Sequence, residues 1–413
     1  MNEFTVIFLI FLALGVVLQI WLALRHQTYV RSHQDVVPSA FAEKISLQEH
    51  QKAATYTLTK VSFGQKMLIV EILLLLLWTL GGGLDILDRA LRTLQWTELW
   101  TGVAVILSFG LLSSLIDLPA NIYSTFRIEA RFGFNRITPR LFIIDLFKEM
   151  ILGLVIGIPF LALVLWLMAY AGELWWLYVW LVWMGFSLIM MWLFPTVIAP
   201  LFNKFQPIED QELKERIEGL LQRNGFASKG IFVMDGSKRS SHGNAYFTGF
   251  GSNKRIVFFD TLLKGLNVDE IEAVLAHEVG HFKNKHIQKR ILSISILSLA
   301  SLALLGWLMQ QNWFFHGLGI STPSTYMALL LFSLALPIFT FFFSPIMAWF
   351  SRRHEFEADD FAAKQANPLM LIQALVKLYK DNASTLTPDP LYSAFYDSHP
   401  PAPVRIAHLS SKL

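Results

Sequence analysis

Seven stretches of this 413-residue chain are apolar for long enough to cross a bilayer, and that pattern constrains its fold more than any other feature. They are residues 4–24, 67–87, 99–119, 150–171, 174–201, 291–311 and 325–350. A spanning helix needs about 20 mostly apolar residues, because backbone polar groups in hydrocarbon must be satisfied within the helix itself. The composition agrees, with 54% of residues hydrophobic. The reading is a mainly α, polytopic membrane protein. The fifth stretch ends at Pro195 and Pro200, where a kink or an early stop is expected. The first has no basic residues ahead of it and reads as a retained anchor, not a cleaved signal.

Charge orients the spans. Seven crossings put residues 25–66, 120–149, 202–290 and 351–413 on one side of the membrane. The N-terminus and residues 88–98, 172–173 and 312–324 fall on the other. Of the 34 Lys and Arg residues, all but Arg89 and Arg92 lie on the first side. Cytoplasmic loops concentrate basic residues, so that side is expected to be cytoplasmic and the N-terminus outside. The chain then divides into a five-span region (1–201), a cytoplasmic portion (202–290), two more spans (291–350) and a cytoplasmic C-terminal part (351–413). No long basic run points to nucleic acid. Glu71, Asp85 and Asp117 fall inside spans, where a charge facing lipid is costly, so they are expected to face the interior or a helix interface.

Cysteine is absent, so any metal site must be built from His, Asp or Glu. One short run offers it. His277-Glu278-Val279-Gly280-His281 matches H-E-x-x-H, and Asn267 with Glu270 forms a capping box for a helix starting near Val268. On that helix the two histidines are four residues apart and share a face. They can hold one zinc ion, with Glu278 beside them as general base on the water it activates. If the helix continues, His286 lies about 180° from His277 and is expected beside the site or at the surface, not as a ligand.

A catalytic zinc usually takes three protein ligands. Two acidic pairs in SRRHEFEADDFA (351–362) could supply the third, since two further spans return the chain to the same side. They are Glu355 with Asp359 and Glu357 with Asp360, each offering a ligand and a carboxylate to orient a histidine. Spacing does not choose between them. Residues 230–236, 244–250 and 254–260 read as strands, the last two joined by a Gly251-Ser252-Asn253 hairpin turn.

Several separated motifs, in order, resemble the type I CAAX prenyl endopeptidases, which are integral-membrane, gluzincin-type zinc metallopeptidases. They are FRIEARFGFNRIT (126–138), PLFNKFQPIED (200–210), GSKRSSHGNAYFTGFG (236–251), KRIVFFDTLL (254–263), AVLAHEVGHFKNKH (273–286), SRRHEFEADDFA (351–362) and LYSAFYDSHPP (391–401). The resemblance implies seven transmembrane helices ringed around a water-filled intramembrane chamber, with one zinc per chain near the cytoplasmic end. It also implies a protease portion with a small cytoplasmic β-sheet. It selects Glu355 as third ligand, with Asp359 orienting a histidine through the E-x-x-x-D pattern. It gives Asn244-Ala245-Tyr246 the part of an edge strand that pairs with extended substrate, Asn244 bonding the substrate backbone. From the S-H-P-P motif it gives His399 a role in contacting substrate or stabilising the oxyanion, with Arg405 assisting.

The implied substrate is a peptide or protein cleaved after a prenylated cysteine. An unprenylated substrate in membrane-protein quality control is the alternative within the same chemistry. The implied membrane is the ER membrane or a bacterial inner membrane, and the chain is expected to act as a monomer. A transporter or a non-catalytic scaffold would also suit seven spans around a cavity, but neither would need Glu278.

Overall fold

The computed structural model describes residues 2–226, 230–248 and 255–413. Among them, seven helices are long and apolar enough to cross a membrane: Glu3–His33, Leu47–Trp78, Glu98–Phe132, Pro139–Tyr170, Gly172–Phe202, His286–Leu308 and Thr325–Gln365. Several run well past their apolar stretch. The longest has 41 residues and carries its helix from the apolar part straight into the acidic motif that follows. Pro195 does not stop the fifth helix: a π turn at Phe194–Ile198 takes up the lost backbone bond and the helix continues to Phe202.

The second span needs correcting. Its helix ends at Trp78, and a separate short helix begins at Gly83. Gly82 between them has φ 75°, a left-handed conformation that glycine adopts without steric cost. Asp85 is therefore not inside the second span. It sits on the short helix Gly83–Arg92, accepts from the Ser321 backbone at 2.9 Å and hydroxyl at 2.6 Å, and pairs with Arg89 at 2.7 Å.

Packing sorts the connecting segments into two ends. One hydrophobic core joins Phe41 and Ile45 to Ile208, Ile217 and Ile231, to Ile256, Phe258 and Val279, and to Ala362, Leu375 and Leu409. Segments read as lying on one side thus share an interior. Phe132 and Phe134 of the third connection reach the same end, packing with Tyr56 and Ala383, and Asn135 bridges to Ser240. A second core holds the spans together and extends to Leu84 and to Phe314–Ile320, which belong to the opposite end.

The sheet has four strands in the order β1-β2-β4-β3: β1 Phe205–Pro207, β2 Ile231–Met234, β3 Ala245–Thr248 and β4 Arg255–Phe259. β2 and β4 are parallel, and both outer pairs are antiparallel. Three strands fall where expected. β1 was not expected, since three residues ending in Pro207 carry no alternation to read. The turn at 251–253 lies outside the described residues. Among the described residues β3 pairs only with β4, so its other edge is open there. The Phe259 N–H donates to the Asn244 carbonyl at 2.9 Å. Antiparallel residues alternate in facing their partner strand, so the main-chain groups of Ala245 and Phe247 face the open edge.

Candidate metal centre

The helix Val268–Lys283 starts as its sequence demands. Asn267 and Glu270 cap each other's backbone N–H groups, at 2.9 and 2.8 Å. Ile271, Leu275 and Val279 anchor one face in the core, and the histidine face turns toward the helix Ser344–Gln365. At the crossing stands Gly280, where even a Cβ would lie 3.0 Å from the Ala358 backbone. That close approach brings Glu355 to the histidines.

His277, His281 and Glu355 each offer an atom to one point, all within 4.8 Å of one another. The two Nε2 atoms are 3.2 Å apart. Glu355 places Oε2 3.4 Å from His277 Nε2 and Oε1 3.3 Å from His281 Nε2. Among the described residues, no hydrogen bond reaches the buried Glu355 Oε2. A buried carboxylate oxygen without a hydrogen-bond donor is costly; this one faces His277 Nε2 at 3.4 Å and Arg405 Nη1 at 3.8 Å, and the gap between the carboxylate and the two imidazoles suits one cation.

Asp359, fully buried, holds the far side of His277, Oδ1 to Nδ1 at 2.7 Å. Burial pulls the His277 pKa down, but the Asp359 and Glu355 carboxylates outweigh it and hold it up at about 9. A cation at Nε2 would compete with that proton. Glu278 is half-buried on the same turn. The exposed His399 reaches over the ligand set, with Nε2 3.5 Å from Glu355 Oε1 and Nδ1 2.9 Å from the Ser398 hydroxyl.

The sequence pattern of peptidase family M48 matches residues 207–413, and that of the CAAX prenyl protease N-terminal part, five membrane helices, matches residues 26–204. CAAX prenyl protease 1 homolog of Arabidopsis thaliana is 35% identical, covering 96% of this chain and 95% of its own length. CAAX prenyl protease 1 of Saccharomyces cerevisiae is 34% identical, covering 94% of this chain and 91% of its own. The chain belongs to peptidase family M48. The crystal structure of S. mikatae Ste24p superposes with a TM-score of 0.93 at 31% identity, covering 99% of each chain. This M48 protein is therefore a multi-pass integral membrane metallopeptidase that acts on a peptide or protein substrate.

The other residues expected at the site fall as follows. Asn244 is exposed at the start of the open strand, with Ala245 and Tyr246 half-buried after it. The Asn244 side chain accepts from the Ala245 N–H at 2.8 Å. A cavity of about 920 Å³ opens here, lined by Tyr56, Lys60 and Glu71 from the second span and by His242, Asn244 and Asp397. Glu71 thus faces a cavity, as expected. None of the three metal-facing side chains lines it; along the chain it comes within two residues of His399, at Asp397.

Arg405 differs from its expected part. It is buried, donates to both Asp359 oxygens at 2.9 and 2.5 Å, and lies 3.8 Å from Glu355 Oε2. Its contacts back the ligand set, through Asp359 and Glu355.

Two contributors escape sequence reasoning. Arg352 donates to the main-chain carbonyls of Ser393 and Asp397, at 3.2 and 2.9 Å, and so holds the segment leading to His399. Nothing in its sequence context marks it. His286 is buried, and its Nδ1 lies 3.0 Å from His281 Nδ1. The angular argument that set it on the opposite face fails because the helix stops at Lys283 and Lys285 turns left-handed, with φ 56°. Its place beside a ligand, not as one, agrees with the expectation. Asn284, a common helix-ending residue, was the available signal for that stop.

Proposed function

We propose that this chain is a zinc endopeptidase that cleaves prenylated CAAX proteins at the cytoplasmic face of its membrane. The observation that carries the zinc reading is the spacing of the donors, 3.2, 3.4 and 3.3 Å. Ligand atoms bound at about 2.0–2.1 Å around a tetrahedral zinc stand about 3.3–3.4 Å apart. The prenylated substrate is supported by the names of the relatives, each a CAAX prenyl protease, and by the cavity that runs from the second span to the open strand. The cytoplasmic side is supported by the clustering of Lys and Arg on the segments that share the protease core. The donor set is complete within one chain, which supports action as a monomer.

Zinc, when bound, polarises the scissile carbonyl and lowers the pKa of the attacking water. His277, His281 and Glu355 hold it. Asp359 keeps the His277 proton at Nδ1, leaving Nε2 free to bind. The substrate lies extended along β3, exchanging main-chain hydrogen bonds with Ala245, while Asn244 bonds its backbone. The Glu278 carboxylate accepts a proton from the attacking water and passes it to the leaving amine. His399 donates from Nε2 to the oxygen that gains charge.

The test is hydrolysis of a farnesylated CAAX peptide and of its unprenylated twin by purified protein, with zinc counted per chain. One zinc, and activity abolished by chelator and restored by zinc, are expected. Glu278→Gln should keep the zinc and lose about 10²–10⁴-fold in rate. Equal cleavage of both peptides would move the reading to unprenylated substrates. Unchanged cleavage by Glu278→Gln would sink the mechanism.

A further inference from the structure

We propose that His286 and Glu357 form a relay that fixes which nitrogen of His281 carries its proton, and so positions His281 for the metal. The inference rests on the zinc reading above. His281 faces the metal through Nε2, so its proton must sit on Nδ1, and an acceptor at Nδ1 holds it there. The group in place is His286 Nδ1, 3.0 Å away. A ring that accepts at Nδ1 carries its own proton at Nε2, and His286 Nε2 lies 3.0 Å from Glu357 Oε2. With both rings neutral, both bonds form together in one arrangement: His281 donates to His286, and His286 donates to Glu357. The opposite tautomer of His281 would aim a hydrogen into the metal position.

The two zinc-facing histidines are thus served unequally. His277 meets its carboxylate directly, at 2.7 Å from Asp359. His281 lies near the end of its helix, and on its Nδ1 side, among the described residues, it reaches a carboxylate through a second imidazole. The chain supplies that imidazole by breaking the helix at Lys285, which turns His286 back under His281. His286 is held flat by stacking on His354, with ring centroids 4.1 Å apart and 14° between planes. Glu357 is kept in place by Arg353 at 3.4 Å and Lys289 at 3.6 Å. This also separates the two acidic residues that spacing could not: Glu355 faces the metal, and Glu357 serves a ligand through His286.

His286 and Glu357 are positioning residues, so the readout is metal affinity, not rate. Zinc is titrated between the purified full-length protein and a chelator of known affinity. His286→Leu should weaken zinc binding by about 10–100-fold, the usual effect of losing a ligand's supporting partner. His286→Asn, whose amide oxygen takes the place of Nδ1, should recover most of that loss. Glu357→Ala should weaken binding by a smaller factor. Added to His286→Leu it should cost nothing more, because the relay acts as a unit.

A role for His286 in folding alone would lower the unfolding temperature and leave zinc affinity where it was. The proposal is overturned if His286→Leu binds zinc as tightly as the parent, or if His286→Asn is as weak as His286→Leu. Should His286→Leu fail to fold, Glu357→Ala decides, and parental affinity there overturns the relay. A parent protein that binds no zinc overturns the zinc reading instead.

Discussion

Arg405 and Asp359 form a two-point ion pair beneath the metal-facing residues, Nε to Oδ2 at 2.9 Å and Nη2 to Oδ1 at 2.5 Å, with side chains 8% and 0% exposed. The planar guanidinium fits the carboxylate with two parallel donors, which fixes the rotation of Asp359 as well as its position. Asp359 in turn holds His277. The C-terminal helix Ala402–Ser410 is therefore coupled to the metal site through Arg405.

Removing Arg405 should harm the fold and the metal site together. Arg405→Met leaves Asp359 buried without its partner, a change that typically costs about 3–5 kcal/mol. Arg405→Lys keeps the charge but loses the fork, and should fall between. The expected result is a lower unfolding temperature in detergent and weaker zinc binding, in the order parent, Lys, Met. If Arg405 contacted substrate, the variants would instead raise KM and leave stability and zinc unchanged.

Gly280 sets the distance between the two helices that carry the ligands. A Cβ there would lie 3.0 Å from both the Cα and the carbonyl oxygen of Ala358, and 3.1 Å from Phe361 Cβ. Those neighbours are mostly backbone and cannot swing aside. Gly280→Ala should therefore push the helices apart and cost about 1–3 kcal/mol, as overpacking does. The same shift draws Glu355 away from His277 and His281, so zinc affinity should fall as well. Thermal unfolding with and without chelator separates the two: parental stability with parental zinc affinity would contradict this account of Gly280.

At the opposite end of the spans, Tyr326 donates to Asp88 Oδ1 at 2.5 Å, and Arg92 holds Oδ2 of the same carboxylate at 2.9 Å. Tyr326 and Asp88 are both buried. Tyr326→Phe keeps the ring and removes one donor, leaving a buried acceptor short by one bond. A loss of about 1–3 kcal/mol in unfolding free energy is expected. Peptidase activity below the unfolding transition should be unchanged, since the pair sits at the far end from the metal-facing residues. A fall in kcat at full folding would contradict that separation.

The spans were legible because lipid leaves the backbone few choices, so long apolar runs become helices whatever their neighbours. The break at Gly82 was not, because Leu84, Ile86 and Leu87 continue the apolar pattern past three glycines. His277 and His281 were legible as a pair, since a four-residue spacing fixes one helix face. Glu355 against Glu357 was not, because both acidic pairs have nearly the same spacing. What separates them is tertiary: Ala358 and Ala362 bury one face of their helix against the motif helix, and Glu355 and Asp359 share that face. His286 was expected beside the site or at the surface and lies beside His281, but the turn that puts it there, a non-glycine residue at positive φ, Lys285, has no sequence signature.

Arg352 gives the last prediction. It sits on the helix Ser344–Gln365, one turn before Glu355, and its Nη1 donates to the carbonyls of Ser393, Ala394 and Asp397, at 3.2, 3.4 and 2.9 Å. Ser393 and Ala394 lie in the last turn of the helix Pro390–Tyr396, where the Ser393 carbonyl also accepts from the Asp397 N–H at 3.0 Å, and Asp397 begins the segment leading to His399. One cation thus ties the segment carrying His399 to the helix carrying Glu355. Arg352→Leu should free that segment while leaving His277, His281 and Glu355 together. Zinc content should hold, and kcat should fall by about 10–100-fold, the cost of a group misplaced by an ångström or so. Measuring kcat, KM and zinc on the same preparation decides it. Loss of zinc in step with activity would show that Arg352 supports the ligand set and not His399.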